Sequence, residues 1–225
     1  MRIDGVEACL FDAYGTLFDF ASAAERCRDV LGDRTAALTT LWRDKQIQYA
    51  WLRSLQNRYV DFAEVTAQAL DYALRALAID DAVLRSRLLA LYGSLAPFPE
   101  VAGVLRRLRE SGYCTAILSN GSPAMLSPLV AQAGLGDLLD AVLSVDEVRV
   151  FKTHPRVYQL ALDRLKTTAE KVCFVSSNAW DAWAASDFGM RVVWCNRYGQ
   201  PPENLPGRPD AVIRSLDEAL PLLLG

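Results

Sequence analysis

Asp12 stands at the end of the apolar run Val6-Glu7-Ala8-Cys9-Leu10-Phe11 and leads into Ala13-Tyr14-Gly15-Thr16-Leu17. A lone Asp in such a place commonly closes a turn. It becomes a nucleophile when nearby positive charge and hydrogen-bond donors keep it ionised and aimed. Later segments of the chain offer both: Lys152 can supply the charge, while Thr16, Ser176 and Asn178 can supply donors. Ser119, Asn120 and Asp181 add polar groups at comparable positions. The only histidine, His154, precedes Pro155 at an expected helix start and reads as a surface loop residue. Without a G-x-S-x-G elbow it is a poor candidate for the base of a serine hydrolase.

These side chains fall where an open parallel sheet would gather them. Val6–Phe11 is a short apolar run stopped by Asp12 and Gly15, which suits a buried strand. From about Ser22 to Leu95 the pattern turns helical, with no proline and with apolar residues such as Leu38, Leu41, Trp42, Tyr49, Leu52 and Tyr59 recurring at helical spacing. Four helices are expected there, broken near Gly32–Asp33, Val60–Asp61 and Asp80–Asp81. After Pro97-Phe98-Pro99 short apolar runs alternate with amphipathic helices, which implies β-α units. Strands are expected at Thr115–Leu118, Ala141–Leu143, Val172–Val175 and Val192–Cys195. Helices are expected at about Val101–Glu110, Ala124–Gln132, Arg156–Leu165, Ala182–Phe188 and Leu216–Leu224.

The expected fold is therefore α/β, a Rossmann-like parallel sheet core built from residues 1–18 and 97–225, with a helical cap, 19–96, inserted after the first strand. Ligands of such sheets bind at the carboxyl ends of the strands. Asp12–Thr16, Ser119-Asn120-Gly121, the region before Lys152 and Ser176-Ser177-Asn178 would all lie there, beneath the cap as a lid.

Composition narrows the partners. The 24 Lys and Arg against 27 Asp and Glu leave a net charge of −3, so no basic field draws nucleic acid or an acidic membrane surface. The five cysteines are an odd number spread singly, without a C-x-x-C pair, and read as thiols of a reducing compartment. The first residues carry acids where a signal peptide needs an apolar core, and no run reaches the ~18 apolar residues of a membrane span. A cytoplasmic protein that binds neither membrane nor nucleic acid is the expectation.

Phe11-Asp12-Ala13-Tyr14-Gly15-Thr16-Leu17, Leu118-Ser119-Asn120-Gly121, Phe151-Lys152 and Val175-Ser176-Ser177-Asn178-Ala179-Trp180-Asp181 resemble the four motifs of the haloacid dehalogenase superfamily, in order. More narrowly, the chain resembles the L-specific 2-haloacid dehalogenases over nearly its whole length. The resemblance implies hydrolysis of short (S)-2-haloalkanoic acids to (R)-2-hydroxy acids with inversion, through an ester on Asp12, without metal or cofactor, in a homodimer. It further implies that Arg43 from the cap, together with Asn120, meets the leaving halide, and that Ser119 with backbone N–H groups near Tyr14 binds the substrate carboxylate.

Tyr14, Ile47, Phe62 and Trp180 would wall the alkyl group, Arg43 and Ile47 sharing a helix face by their spacing of four. Tyr158 would reach Lys152 or Asp12. Asp181 would either hold Lys152 and Ser176 or orient the hydrolytic water. Trp42, Tyr49, Trp51 and Tyr59 read either as cap core or as aromatics of a dimer face.

The alternative within the superfamily is a Mg²⁺-dependent phosphatase. Members of that kind carry a second Asp two residues after the nucleophile, where this chain has Tyr14, and acids in the fourth motif, where it has Ser177-Asn178-Ala179-Trp180 before the single Asp181. A non-catalytic signalling or binding domain would leave Asp12, Lys152, Ser176, Asn178 and Asp181 without a use.

Overall fold

The computed structural model describes residues 2–225. Its core is a six-stranded, all-parallel sheet made of β1 (Ala8–Phe11), β2 (Cys114–Ser119), β3 (Ala141–Ser144), β4 (Val172–Ser176), β5 (Arg191–Cys195) and β6 (Ala211–Ile213), in the order β3-β2-β1-β4-β5-β6. Strands β1 and β4 are buried along their whole length, as the middle of a parallel sheet covered on both faces requires. The order of the strands reverses between β1 and β4, and such a switch opens a crevice at their carboxyl ends. Asp12 follows β1, and Ser177-Asn178 follow β4, so both line that crevice by topology alone.

Helices α1 (Ser22–Glu25), α2 (Arg28–Leu31), α3 (Arg34–Leu55), α4 (Phe62–Ala76) and α5 (Ala82–Tyr92) form the insertion after β1. At 22 residues, α3 is about 33 Å long, enough to carry residues from the cap interior out over the sheet edge. Asp61 caps α4 by accepting from the Ala63 N–H at 2.6 Å, and Asp81 caps α5 by accepting from the Leu84 N–H at 2.8 Å. These two acids fix where the apolar faces of α4 and α5 begin. The chain leaves and rejoins the core side by side, with the Asp19 N–H on the Ala96 carbonyl at 2.9 Å and the Phe98 N–H on the Leu17 carbonyl at 3.0 Å.

The remaining helices, α6 (Val101–Glu110), α7 (Pro123–Gln132), α8 (Pro155–Leu165), α9 (Ala179–Asp187) and α10 (Leu220–Leu224), lie among the later strands. The helix expected at Ala182 starts three residues earlier, directly after Asn178, so that β4 passes into α9 through a tight polar corner. The cap segment before Gly32 is two short helices rather than one, broken at Arg26–Cys27. The helix expected over Leu216–Leu224 opens as a 3₁₀ turn, Leu216–Ala219, before α10. Strand β6 has no counterpart among the expected strands.

All five cysteines are free, four of them buried. Among the described residues no helix is long and apolar enough to cross a membrane. His154 is exposed and caps α8, its ring Nδ1 accepting from the Arg156 N–H at 3.2 Å.

Candidate active site

At the switch point a lysine lies between two carboxylates. The Lys152 ammonium donates to Asp12 Oδ1 at 3.0 Å and to Asp181 Oδ2 at 2.7 Å, and neither Lys152 nor Asp181 has any solvent exposure. Burial alone would lower the Lys152 pKa, but Asp12 and Asp181 together hold it above its ordinary value. Burial pushes the Asp181 carboxyl above the usual range, against the pull of Lys152 and Tyr158. Asp181 also accepts from Tyr158 Oη at 2.8 Å and from Ser176 Oγ at 3.3 Å. Burial, then Asp181, keeps the Tyr158 hydroxyl protonated well above its ordinary pKa, so it remains a donor.

The second oxygen of Asp12 is equally determined. Asp12 Oδ2 accepts from Thr16 Oγ1 at 3.0 Å and from Asn178 Nδ2 at 2.8 Å. Thr16 Oγ1 in turn accepts from the Ser177 N–H at 2.8 Å, which ties the loop after β1 to the corner after β4. A hydroxyl with one hydrogen can hold both bonds only by donating to Asp12 and accepting from Ser177. Asp12 thus has two donors on Oδ2 and one on Oδ1.

The cap reaches this centre through Arg43, whose Nη2 donates to Asn178 Oδ1 at 3.0 Å and to the Tyr14 carbonyl at 3.4 Å. The same Asn178 therefore joins Arg43 on one side to Asp12 on the other. The Arg43 guanidinium also stands 5.0 Å from the Phe20 ring centroid. Ile47 and Phe62 are buried, Trp180 is half-buried, and the Tyr14 ring packs between Phe62 (6.0 Å) and Tyr92 (5.4 Å). A cavity of about 450 Å³ opens beside Arg43, Ile47, Asn178 and Trp180.

One expectation differs from this geometry. Tyr158 meets Asp181, not Lys152 or Asp12, because Lys152 occupies the space between the two carboxylates. Arg43 bonds Asn178, while the side-chain oxygen of Asn120 accepts from the Lys152 backbone N–H at 3.0 Å. Ser119 Oγ accepts from the Gly121 N–H at 3.0 Å and is fully buried. Of the cap aromatics, Trp42 is core, Trp51 is 37% exposed, and Tyr49 and Tyr59 are half-buried.

Gln46 belongs to none of the four motifs yet accepts from Arg43 Nη1 at 2.7 Å, and its spacing of three from Arg43 on one helix is the signal in the sequence that marks it. Tyr198, likewise outside the motifs, lines the cavity from the loop after β5 and so sits, like the rest, beyond a strand's carboxyl end.

A buried carboxylate supplied with donors at the switch point of a Rossmann-like sheet, beneath an inserted helical cap, is the arrangement of a capped hydrolase with an aspartate at its centre. The family model for haloacid dehalogenase-like hydrolase matches residues 6–189, and the chain belongs to that family. It is 43% identical to (S)-2-haloacid dehalogenase 4A of Burkholderia cepacia, over 98% of this chain and 96% of that protein. With an (S)-2-haloacid dehalogenase of Pseudomonas sp. (strain YL) it shares 46% identity, over 95% and 93% respectively. Among solved structures, L-2-haloacid dehalogenase from Xanthobacter autotrophicus with chloropropionic acid covalently bound superimposes with a TM-score of 0.89 at 38% identity, covering 96% of this chain and 98% of that one.

Proposed function

We propose that this protein is an (S)-2-haloacid dehalogenase that converts short (S)-2-haloalkanoic acids to (R)-2-hydroxy acids with inversion, through an ester on Asp12. The observation that carries the reading is the Asp12 carboxylate, whose side-chain partners among the described residues are all donors, one on Oδ1 and two on Oδ2. Oδ1 attacks C2 from the side opposite the halogen, the carbon–halogen bond breaks, and halide leaves with the bonding pair. Oδ2 remains as the ester carbonyl. When water attacks the Asp12 carboxyl carbon, negative charge gathers on Oδ2, where Thr16 and Asn178 already donate. Donors set in advance where charge develops lower the barrier without reorganisation.

Lys152 sets a positive charge 3.0 Å from Asp12 Oδ1, and Asp181, held by Tyr158 and Ser176, keeps Lys152 in place. The raised Asp181 carboxyl is also suited to accept the proton that water releases. Arg43, with Asn120 from the core, meets the departing halide, while Ser119 and backbone N–H groups near Tyr14 take the substrate carboxylate. Tyr14, Ile47, Phe62 and Trp180 surround the alkyl group. The cap that supplies Arg43, Ile47 and Phe62 spans residues 19–96.

A Mg²⁺-dependent phosphatase fits the same fold less well. The two carboxylates able to share a divalent cation, Asp12 and Asp181, share the Lys152 ammonium, and Tyr14 occupies the place of a leaving-group acid. Halide release from (S)-2-chloropropionate, assayed beside phosphate release from a phosphate monoester with and without EDTA, separates the two. Halide release unaffected by chelation supports the dehalogenase; phosphate release that needs Mg²⁺ rejects it.

The protein is further read as a cytoplasmic homodimer. Exposed Trp51, Leu52, Leu55 and Tyr72 on α3 and α4 support a partner face, and free cysteines suit a reducing compartment. A monomer mass by light scattering would rule the dimer out.

A further inference from the structure

Arg43 is a cation without an anion. Its hydrogen bonds run to Gln46 Oε1, Asn178 Oδ1 and the Tyr14 carbonyl, all neutral, and among the described residues it forms no ion pair. Such a guanidinium keeps its charge for whatever enters the site, provided something neutral fixes its direction.

Gln46 is 1% exposed and lies one turn after Arg43 on α3, where residues three apart are neighbours. Proton bookkeeping decides which way its amide points. The Thr66 hydroxyl donates its single hydrogen to the Phe62 carbonyl at 2.7 Å, so toward Gln46 it can only accept. Gln46 must then offer Nε2, which lies 2.6 Å from Thr66 Oγ1 and 3.0 Å from Tyr92 Oη. Its carbonyl is thereby turned to Arg43 Nη1, a group that can only donate. Thr66 is itself held, since Trp42 Nε1 donates to its carbonyl at 2.8 Å. Tyr92 Oη also lies 3.2 Å from Gln46 Oε1, so α5 does not choose between the two ends; the amide receives its orientation from Thr66 on α4 and passes it to a guanidinium on α3.

We propose that Gln46 is a positioning residue for Arg43: the Gln46 carbonyl sets the direction of the guanidinium while leaving its positive charge unspent for the leaving group. The proposal rests on the reading that Arg43 meets the departing halide. A carboxylate in place of the amide would bond Arg43 just as closely but neutralise it, and would have nothing to donate to Thr66. A side chain of similar size with no oxygen would leave the charge intact and the direction loose.

The test compares wild type, Gln46→Glu and Gln46→Met on (S)-2-chloropropionate and (S)-2-bromopropionate, with circular dichroism to establish folding. For both variants kcat is expected to fall between about tenfold and 10²-fold, the cost of misplacing a catalytic group by about 1 Å, with KM nearly unchanged. The fall should be larger for the chloro than for the bromo acid, because chloride is the poorer leaving group and draws more on Arg43. Gln46→Glu alone should show a new pH dependence, its kcat relative to wild type at the same pH rising toward acid as the introduced carboxyl protonates. The titratable groups facing that position are Arg43, Tyr92 and, beyond them, Tyr14 and Asp12.

Folded variants with wild-type kcat, or with equal losses for both halogens and no new pH limb, would overturn the proposal. Should Gln46→Glu not fold, Gln46→Met decides by the same halogen comparison. Wild-type enzyme that releases no halide would instead overturn the reading of the activity, so the two failures are distinct.

Discussion

Arg43 and Lys152 are both cations of this site, yet their surroundings assign them different work. Lys152 is buried between Asp12 and Asp181 and already paired, whereas Arg43 faces only neutral acceptors. Replacing Arg43 by Ala is therefore expected to lower kcat by about 10²–10³-fold, as loss of a donor to developing charge does elsewhere, with a smaller change in KM. Steady-state kinetics on (S)-2-chloropropionate check this, and a rise in KM alone would place Arg43 on the substrate carboxylate instead.

Lys152 governs the pH range. Its two carboxylates outweigh burial and raise its pKa, so the ammonium persists above the ordinary lysine value of about 10.4. On the acid side, burial raises Asp181, so it takes up a proton above the usual carboxyl range and lets go of Lys152 as pH falls. The kcat/KM profile should accordingly fall in acid, from a pH above the ordinary aspartate range, and stay high through pH 10. An alkaline fall centred near pH 8 would contradict this pairing.

Elements decide how well those side chains meet, and the loops after β1 and β2 leave little tolerance. A Cβ on Gly121 would come within 2.9 Å of both Cε2 and Oη of Tyr14. Tyr14 cannot withdraw freely, since its ring lies against Tyr92 and Phe62. Moving Tyr14 also moves the carbonyl that receives Asn178 Nδ2 at 3.1 Å and Arg43. Gly121→Ala should cost about 1–3 kcal/mol of stability, as overpacking typically does, together with a loss of kcat. Thermal melts beside kinetics measure both, and an unchanged variant would show that this contact is not tight.

The elements also show why some of the site was legible in the sequence. Strands β1 and β4 are apolar runs that end abruptly in Asp12 and Ser176-Ser177-Asn178, so each announces its own carboxyl end. The sheet order then brings those ends together. What stayed hidden depends on side-chain reach between packed helices: the preference of Tyr158 for Asp181, and the turn of the Gln46 amide toward Arg43, follow from contacts across 23 residues in one case and across two helices in the other. Strand β6 was missed because an edge strand of three residues needs almost no apolar pattern, and its Val212 is 58% exposed.

At the scale of the whole molecule, core and helical insertion meet at the site. The core holds Asp12, Thr16, Lys152, Asn178 and Asp181, and the cap brings Arg43 down on the same Asn178 that touches Asp12. An asparagine shared in this way ties the helical insertion directly to the Asp12 carboxylate. Direct attack of water on C2 and attack by Asp12 give the same hydroxy acid with the same single inversion, so stereochemistry does not separate them. The isotope does, because an ester on Asp12 is cleaved at the Asp12 carboxyl carbon, and the oxygen delivered to the product comes from the side chain. A single turnover of (S)-2-chloropropionate in H₂¹⁸O with enzyme in excess should therefore yield (R)-lactate carrying ordinary oxygen, with ¹⁸O recovered in the peptide containing Asp12. First-turnover lactate already fully labelled, with Asp12 unlabelled, would contradict the account.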